Sequence, residues 1–169
     1  LAPEEQARLA SAFTRDAGVD VLSFGGTKNG AVGAEAVVVF DPALAAEMPF
    51  LRKQSTQLAS KMRYLSAQFL ALAEGDLWLE NARNSNAMAQ RLAAGVRGIP
   101  GVEITQQVEA SAVFATLPPS VTARLQREFH FDYWNHSPRE VRWMTSWATS
   151  AADVDEFVAV IRREMAAEG

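Results

Sequence analysis

The sequence predicts an α/β chain in two unlike parts, and three observations predict it. Segments of helical periodicity alternate with short strand-like runs along the 169 residues. The first 45 residues hold apolar, β-branched runs typical of parallel strands covered on both faces, yet two such strands cannot complete a covered sheet. Residues 76–169 instead read as a self-contained α+β layer, a small and mostly antiparallel sheet with helices. The expected division is a remnant of a larger domain over 1–48, a connecting helix over 49–75 and a small C-terminal α+β domain over 76–169. On this division the chain is the later part of a longer protein, and Leu1 in place of an initiator Met points the same way.

Each element has a local cause. Residues 3–15 suit a helix with Pro3 in its first turn, where the missing N–H costs nothing. Val19–Phe24 reads as a strand, a Gly-rich turn runs from Gly25 to Gly33, and Ala36–Phe40 is a second, continuously apolar strand. Asp41-Pro42 combines an N-cap carboxylate with Pro at the first helical position. From Phe50 to Glu74 there is no Pro or Gly, and Leu58, Met62, Leu65, Phe69 and Leu72 form one stripe of a long helix. Gly75 ends it and Asp76 is placed to cap a helix over 77–96. After the Gly98-Ile99-Pro100-Gly101 loop, 102–108 and 112–117 read as strands, and Pro118-Pro119-Ser120 opens a helix to about Phe129. Strands at 131–134 and 140–147 follow. Ser150 and Asp153 are spaced as a capping box for a last helix carrying Val154, Phe157, Val158, Ile161 and Met165.

Composition excludes several functions. Sixteen Lys and Arg against 20 Asp and Glu leave a net charge of −4, without the basic footprint of a nucleic-acid binder. No apolar run has the roughly 18 residues of a membrane helix, and the N-terminus has neither the basic nor the apolar region of a signal peptide. Cysteine is absent, which removes disulfides, thiolate nucleophiles and Cys-ligated zinc and fits a reducing, cytoplasmic setting. No metal site is expected at His130 and His136, which lack an accompanying ligand set. Trp134, Trp143 and Trp147 are expected in the core of the small sheet. Asn135-His136-Ser137 matches a glycosylation sequon by pattern alone.

The turn around Lys28 carries the chemical signal. Gly25, Gly26, Gly30 and Gly33 surround one lysine between two strands. A lysine confined there loses hydration, which favours the neutral amine that Schiff-base chemistry requires. The nucleotide-binding alternative fails on order, because Thr27 precedes Lys28 and a strand, not a helix, follows. A glycine-rich connector bearing an exposed lysine is the structural alternative.

The string from Asp20 through Lys28 to Ala36 closely resembles the lysine segment of low-specificity L-threonine aldolases, pyridoxal 5'-phosphate (PLP) enzymes of fold type I in the β-eliminating-lyase-like group. The resemblance continues through Phe50-Leu51-Arg52-Lys53-Gln54, Lys61-Met62-Arg63, Glu140–Trp147 and Asp153–Phe157. It covers essentially this whole chain and the latter half of the family's length. It implies an aspartate-aminotransferase-like fold, of which this chain holds the end of the large-domain sheet, a long helix and the small α+β domain.

By the same resemblance, Lys28 is the catalytic lysine that binds PLP covalently, and the adjacent Thr27 hydroxyl can reach its phosphate. Arg142 binds the substrate α-carboxylate; the alternative is a strand-surface arginine paired with Glu140. Arg63 reaches the phosphate across a subunit interface, although Ser60 and Lys61 stand where the family has a glycine-rich approach. Lys53 matches a basic position near the site, with a solvent-facing lysine as its alternative. The residues that stack on the cofactor ring, pair with its pyridine nitrogen and supply a second carboxylate arginine lie upstream of position 1 in that family. The implied activity is cleavage of β-hydroxy-α-amino acids, L-threonine or L-allo-threonine, to glycine and an aldehyde, by a homodimer or homotetramer that includes the missing N-terminal half. The chain alone is expected to be inactive. Another fold-type-I lyase acting by β-elimination, or a non-catalytic small-domain and dimerisation module, are the alternatives.

Overall fold

A computed structural model describes residues 2–135, 137 and 139–168. The chain divides into two compact units, 1–75 and 76–169. In the first, helix α1 (Pro3–Ala12) leads to strands β1 (Val21–Gly25) and β2 (Glu35–Val39), followed by α2 (Pro42–Ala45), α3 (Met48–Gln54) and α4 (Met62–Ala73). As its sequence predicts, Asp41 caps α2, its carboxylate accepting the Ala43 N–H at 2.8 Å.

Three expectations for this unit are corrected. β1 and β2 are not parallel strands. They pair antiparallel, Val21 opposite Val39 and Gly25 opposite Glu35. Only residues 26–34 join them, and a parallel pair needs a crossover of a dozen residues or more. Nor are they covered on both faces, since Val21, Phe24, Val37 and Val38 are all exposed. The connecting helix over 49–75 is two helices, interrupted after Gln54, where Thr56 takes a left-handed φ of 59° and the Arg52 guanidinium bonds the Gln57 carbonyl. Ser55, Thr56 and Ser60 are weak helix formers, and no residue of α3 or α4 is buried, so no packing overrides that weakness.

The second unit comprises α5 (Leu77–Val96), β3 (Glu103–Ile104), β4 (Ala112–Thr116), α6 (Pro119–Leu125), β5 (Asp132–Tyr133), β6 (Glu140–Met144) and α7 (Ala151–Ala166). Its sheet is antiparallel in the order β3-β4-β6-β5. Strand alternation sends Val113, Ala115, Val141 and Trp143 inward, where they join Leu92 and Val96 of α5, Val121 and Leu125 of α6, and Val154 and Ile161 of α7 in one core. Each such large side chain contributes about 1.5–3 kcal/mol by burial. Helices α5 and α7 meet closely at Gly95, where a Cβ would lie 2.7 Å from Val158 Cγ2.

Asp76 does not cap α5. It takes a left-handed conformation (φ 62°) after Gly75, and its side chain makes no cap bond, because capping needs an extended backbone. Ser150 and Asp153 do form a capping box: Ser150 Oγ accepts the Asp153 N–H at 3.1 Å, and Asp153 accepts the Ser150 N–H at 2.8 Å. Ser150→Ala is therefore expected to cost about 1 kcal/mol, read as a lower urea midpoint at unchanged slope.

Charged side chains tie the helices together. Arg124 of α6 donates to Glu164 at 2.7 Å and Glu168 at 2.9 Å of the α7 end, and Arg91 of α5 grips Asp155 with two bonds of 2.8 and 2.6 Å. Hydrogen bonds from Arg124 and Arg163 hold the Glu164 carboxyl below its ordinary value of 4.5. Ser120 and Arg124 do the same for Glu168, and Arg91 lowers Asp155. Unfolding releases these carboxyls to their ordinary range, so as acid is added the unfolded chain takes up protons first. Their stabilisation is thus complete above about pH 4.5 and is lost as pH falls through the lower folded values. Unfolding midpoints measured from pH 7 to pH 3 should fall below pH 4.5, and more shallowly in Arg124→Ala.

Candidate active site

The Lys28 turn is built on one glycine. Gly26 donates its N–H to the Ala34 carbonyl at 2.8 Å, closing the base of the loop, and its own carbonyl accepts the Asn29 and Ala31 N–H groups at 3.0 Å. Gly26 is buried, and a Cβ there would lie 2.9 Å from the Ala34 oxygen and 3.2 Å from Phe69 Cε1. Only glycine fits this approach. Thr27–Asn29 then form one 3₁₀ turn that Gly30 ends with a φ of 105°.

Helix α4 supports the loop from outside. Phe69 stacks on Phe24 with centroids 5.7 Å apart, and Gln68 Oε1 accepts the Val32 N–H at 2.7 Å. The lysine backbone is thereby fixed while its side chain is exposed, and its amine has no hydrogen-bond or ion-pair partner among the described residues. The confinement expected of Lys28 is absent in this chain because the strands flanking it are themselves uncovered. Thr27 donates its hydroxyl to Glu35 across the loop.

Arg63 and Lys53 belong to the same unit. Arg63 is exposed in the first turn of α4, its guanidinium 5.1 Å from the ring of its neighbour Tyr64. A cation there opposes the helix macrodipole, whose N-terminus favours an anion. Lys53 is exposed in the last turn of α3.

Arg142 belongs to the second unit, at the centre of β6 between Phe114 of β4 and Asp132 of β5. Alternation places it on the sheet face opposite the core. Its Nε is buried and no protein group accepts its proton. The pairing with Glu140 does not form: Glu140 accepts the Thr105 hydroxyl at 2.5 Å instead. The Arg142 guanidinium lies 4.9 Å over the Trp134 ring, which in turn leans on Phe114 at 5.0 Å. The arginine therefore has a fixed side and an unclaimed hydrogen-bonding fork, the arrangement that a carboxylate completes.

The three tryptophans expected in the core of the small sheet separate. Trp143 is core at 2% exposure, Trp147 is exposed, and Trp134 is half-buried on the Arg142 face. A cavity of about 170 Å³ in the same unit is lined by Phe129, His130, Phe131, Trp143 and Phe157, among others, and does not reach Arg142. His130 is exposed. His136, the other member of the histidine pair and the middle of the sequon, lies outside the described residues. No group of three metal-ligating side chains gathers among the described residues, and no helix of theirs is long and apolar enough to cross a membrane.

Sequence reasoning missed Glu35, Gln68, Phe69 and Trp134 as supports of these two positions. Phe69 was visible only as part of an apolar stripe. Trp134 shares the Arg142 face only once the register of β5 against β6 is known.

Comparison with known proteins bears on both positions. No protein-family profile matches the chain. Two low specificity L-threonine aldolases, from Pseudomonas sp. strain NCIMB 10558 and Pseudomonas aeruginosa, are 43% and 41% identical over 92% and 89% of this chain. The chain spans 45% and 44% of their respective lengths. Among solved structures, Leishmania major threonine aldolase superposes with a TM-score of 0.77 at 29% identity, over 87% of this chain and 44% of that one. An aminotransferase from Streptoalloteichus hindustanus, at 15% identity and a TM-score of 0.59 over 88% of this chain and 52% of its own, shares the fold alone. The resemblance carried by the Lys28 segment thus extends along the chain, and the fold-type-I architecture expected from it is present.

Proposed function

We propose that this chain is the part of a PLP-dependent low-specificity L-threonine aldolase that carries the cofactor lysine and the substrate-carboxylate arginine. The observation that carries this reading is the Lys28 turn, a clamped backbone presenting an unpaired amine in a chain 43% identical to such an enzyme. The residues fit the cofactor. Lys28 offers a primary amine that no carboxylate claims, and Arg63 sets a cation at a helix N-terminus suited to a phosphate. Thr27 serves the phosphate only by releasing Glu35; otherwise its hydroxyl is a clasp across the loop.

PLP, when bound, supplies the electron sink that cleavage of a Cα–Cβ bond requires. The protein's own residues do the rest. Lys28 would hold the cofactor through its primary amine. Arg142 grips the substrate carboxylate, and with the amine and carboxylate both held, one Cα bond is fixed for cleavage. The substrate divides into glycine and the aldehyde of its β-carbon. The work belongs to a longer protein, because the chain spans under half of its relatives' length. We further propose a homodimer or homotetramer in the cytoplasm. Exposed Phe50, Leu58, Tyr64 and Leu70 supply an apolar surface for association.

The test is a substrate panel on the intact protein loaded with PLP. L-threonine and L-allo-threonine are expected to yield glycine and acetaldehyde in equal amounts. Pyruvate and ammonia as products, or no turnover with an occupied cofactor site, would overturn the aldolase reading.

A further inference from the structure

We propose that Trp134 is a positioning residue for Arg142, its ring face fixing the guanidinium plane without using any of its N–H donors. The proposal rests on the reading of Arg142 as a carboxylate ligand and adds the means by which that fork stays free and aimed.

The arrangement around Arg142 is unusual for a half-buried cation. Such a group ordinarily finds a protein carboxylate. Two acidic residues are within reach of its strand position: Glu140 lies two residues away on the same face, and Asp132 is its ladder partner on β5. Neither forms an ion pair with it among the described residues, and Glu140 is occupied by the Thr105 hydroxyl at 2.5 Å. The contact Arg142 does make is with a π face, 4.9 Å from its guanidinium carbon to the Trp134 centroid.

A carboxylate partner would stabilise Arg142 but occupy the donors a substrate needs. An indole face attracts the cation through its quadrupole and leaves the donors in the guanidinium plane unused. Trp134 is itself held on two sides. Its backbone N–H donates to the Glu140 carbonyl at 2.8 Å, continuing the β5–β6 ladder, and its ring meets Phe114 at 59°. Phe114 pairs across the ladder with Arg142 itself, so ring, buttress and cation share one patch formed by β4, β6 and the residue that follows β5. Trp134 takes no part in the buried core, which leaves its ring free for this role.

The test compares glycine with glycinamide, which share an amine and differ at the carboxylate, by calorimetric titration of the intact PLP-loaded protein. Wild type is expected to prefer glycine, and Arg142→Ala to lose that preference. Trp134→Leu should reduce the preference about tenfold, the scale of one oriented charge contact, with cofactor content unchanged. Trp134→Phe, which keeps a weaker ring face, should fall between the two. A preference lost in Arg142→Ala but equal in wild type, Trp134→Phe and Trp134→Leu would overturn the proposal and leave the carboxylate reading intact. A preference that survives Arg142→Ala would overturn the carboxylate reading, and this proposal with it. Should Trp134→Leu fail to fold, wild type against Trp134→Phe decides, and no fall in preference there counts against the proposal.

Discussion

Lys28→Ala in the intact protein is expected to lower threonine cleavage by about 10³-fold or more, because the covalent role proposed for Lys28 has no substitute in its site. The Gly26 clamp predicts that this loss is chemical and not structural. The backbone bonds that shape the turn join Gly26 to Ala34, Asn29 and Ala31, and Gly30 to Thr27, and none involves the Lys28 side chain, so the variant should fold and unfold like wild type. Lys28→Arg should be as inactive as Lys28→Ala, since it keeps the charge but not a nucleophilic amine. A direct check is borohydride reduction of the loaded protein followed by peptide mapping. The only other lysines of this chain are Lys53 and Lys61, so an adduct on a peptide bearing either of them would refute the assignment.

Arg142→Ala should raise KM by about 10- to 100-fold, the cost of a lost charged hydrogen-bond pair, and lower kcat as well. Both change because the proposed carboxylate grip would supply binding and also aim the scissile bond. Cofactor content should stay at the wild-type level, since Arg142 is assigned to substrate and not to PLP. Arg142→Lys should recover little, as a point charge cannot replace the fork. The lack of a protein acceptor for Arg142 and the diversion of Glu140 to Thr105 make this expectation specific. A strand-surface arginine paired with its neighbour would move neither constant. A variant that loses cofactor but keeps its KM would contradict the role.

The Lys28 turn was legible in the sequence because its determinants are local. Four glycines around one lysine describe a backbone that must approach itself closely, and the Gly26 contacts are that approach. The capping box at Ser150 was legible for the same reason, since both partners lie within one turn. Asp76 shows where such reasoning stops. Its residue type suits a cap, but the preceding Gly75 sends the chain left-handed, and a cap depends on backbone angles that residue type does not set. The stripe holds within α4, where Met62, Leu65, Phe69 and Leu72 are half-buried, and fails at Leu58, which is exposed in the break between α3 and α4. Periodicity is blind to the break at Thr56, where nothing packs to hold weak helix formers straight.

By itself, then, the sequence determined the alternation of elements, the change in character near residue 75, the position of the glycine-flanked lysine turn and the family likeness from which PLP chemistry is proposed for it. Only the tertiary structure decided that β1 and β2 run antiparallel, that Glu35 engages Thr27, and that Arg142 lies over the Trp134 ring instead of pairing with Glu140. The physical reason is the distance along the chain over which each is set. Caps and glycine turns are fixed by residues one to four positions apart. The partner of an arginine on a sheet depends on strand register, which is settled by the burial of Val113, Ala115, Val141 and Trp143 on the other face.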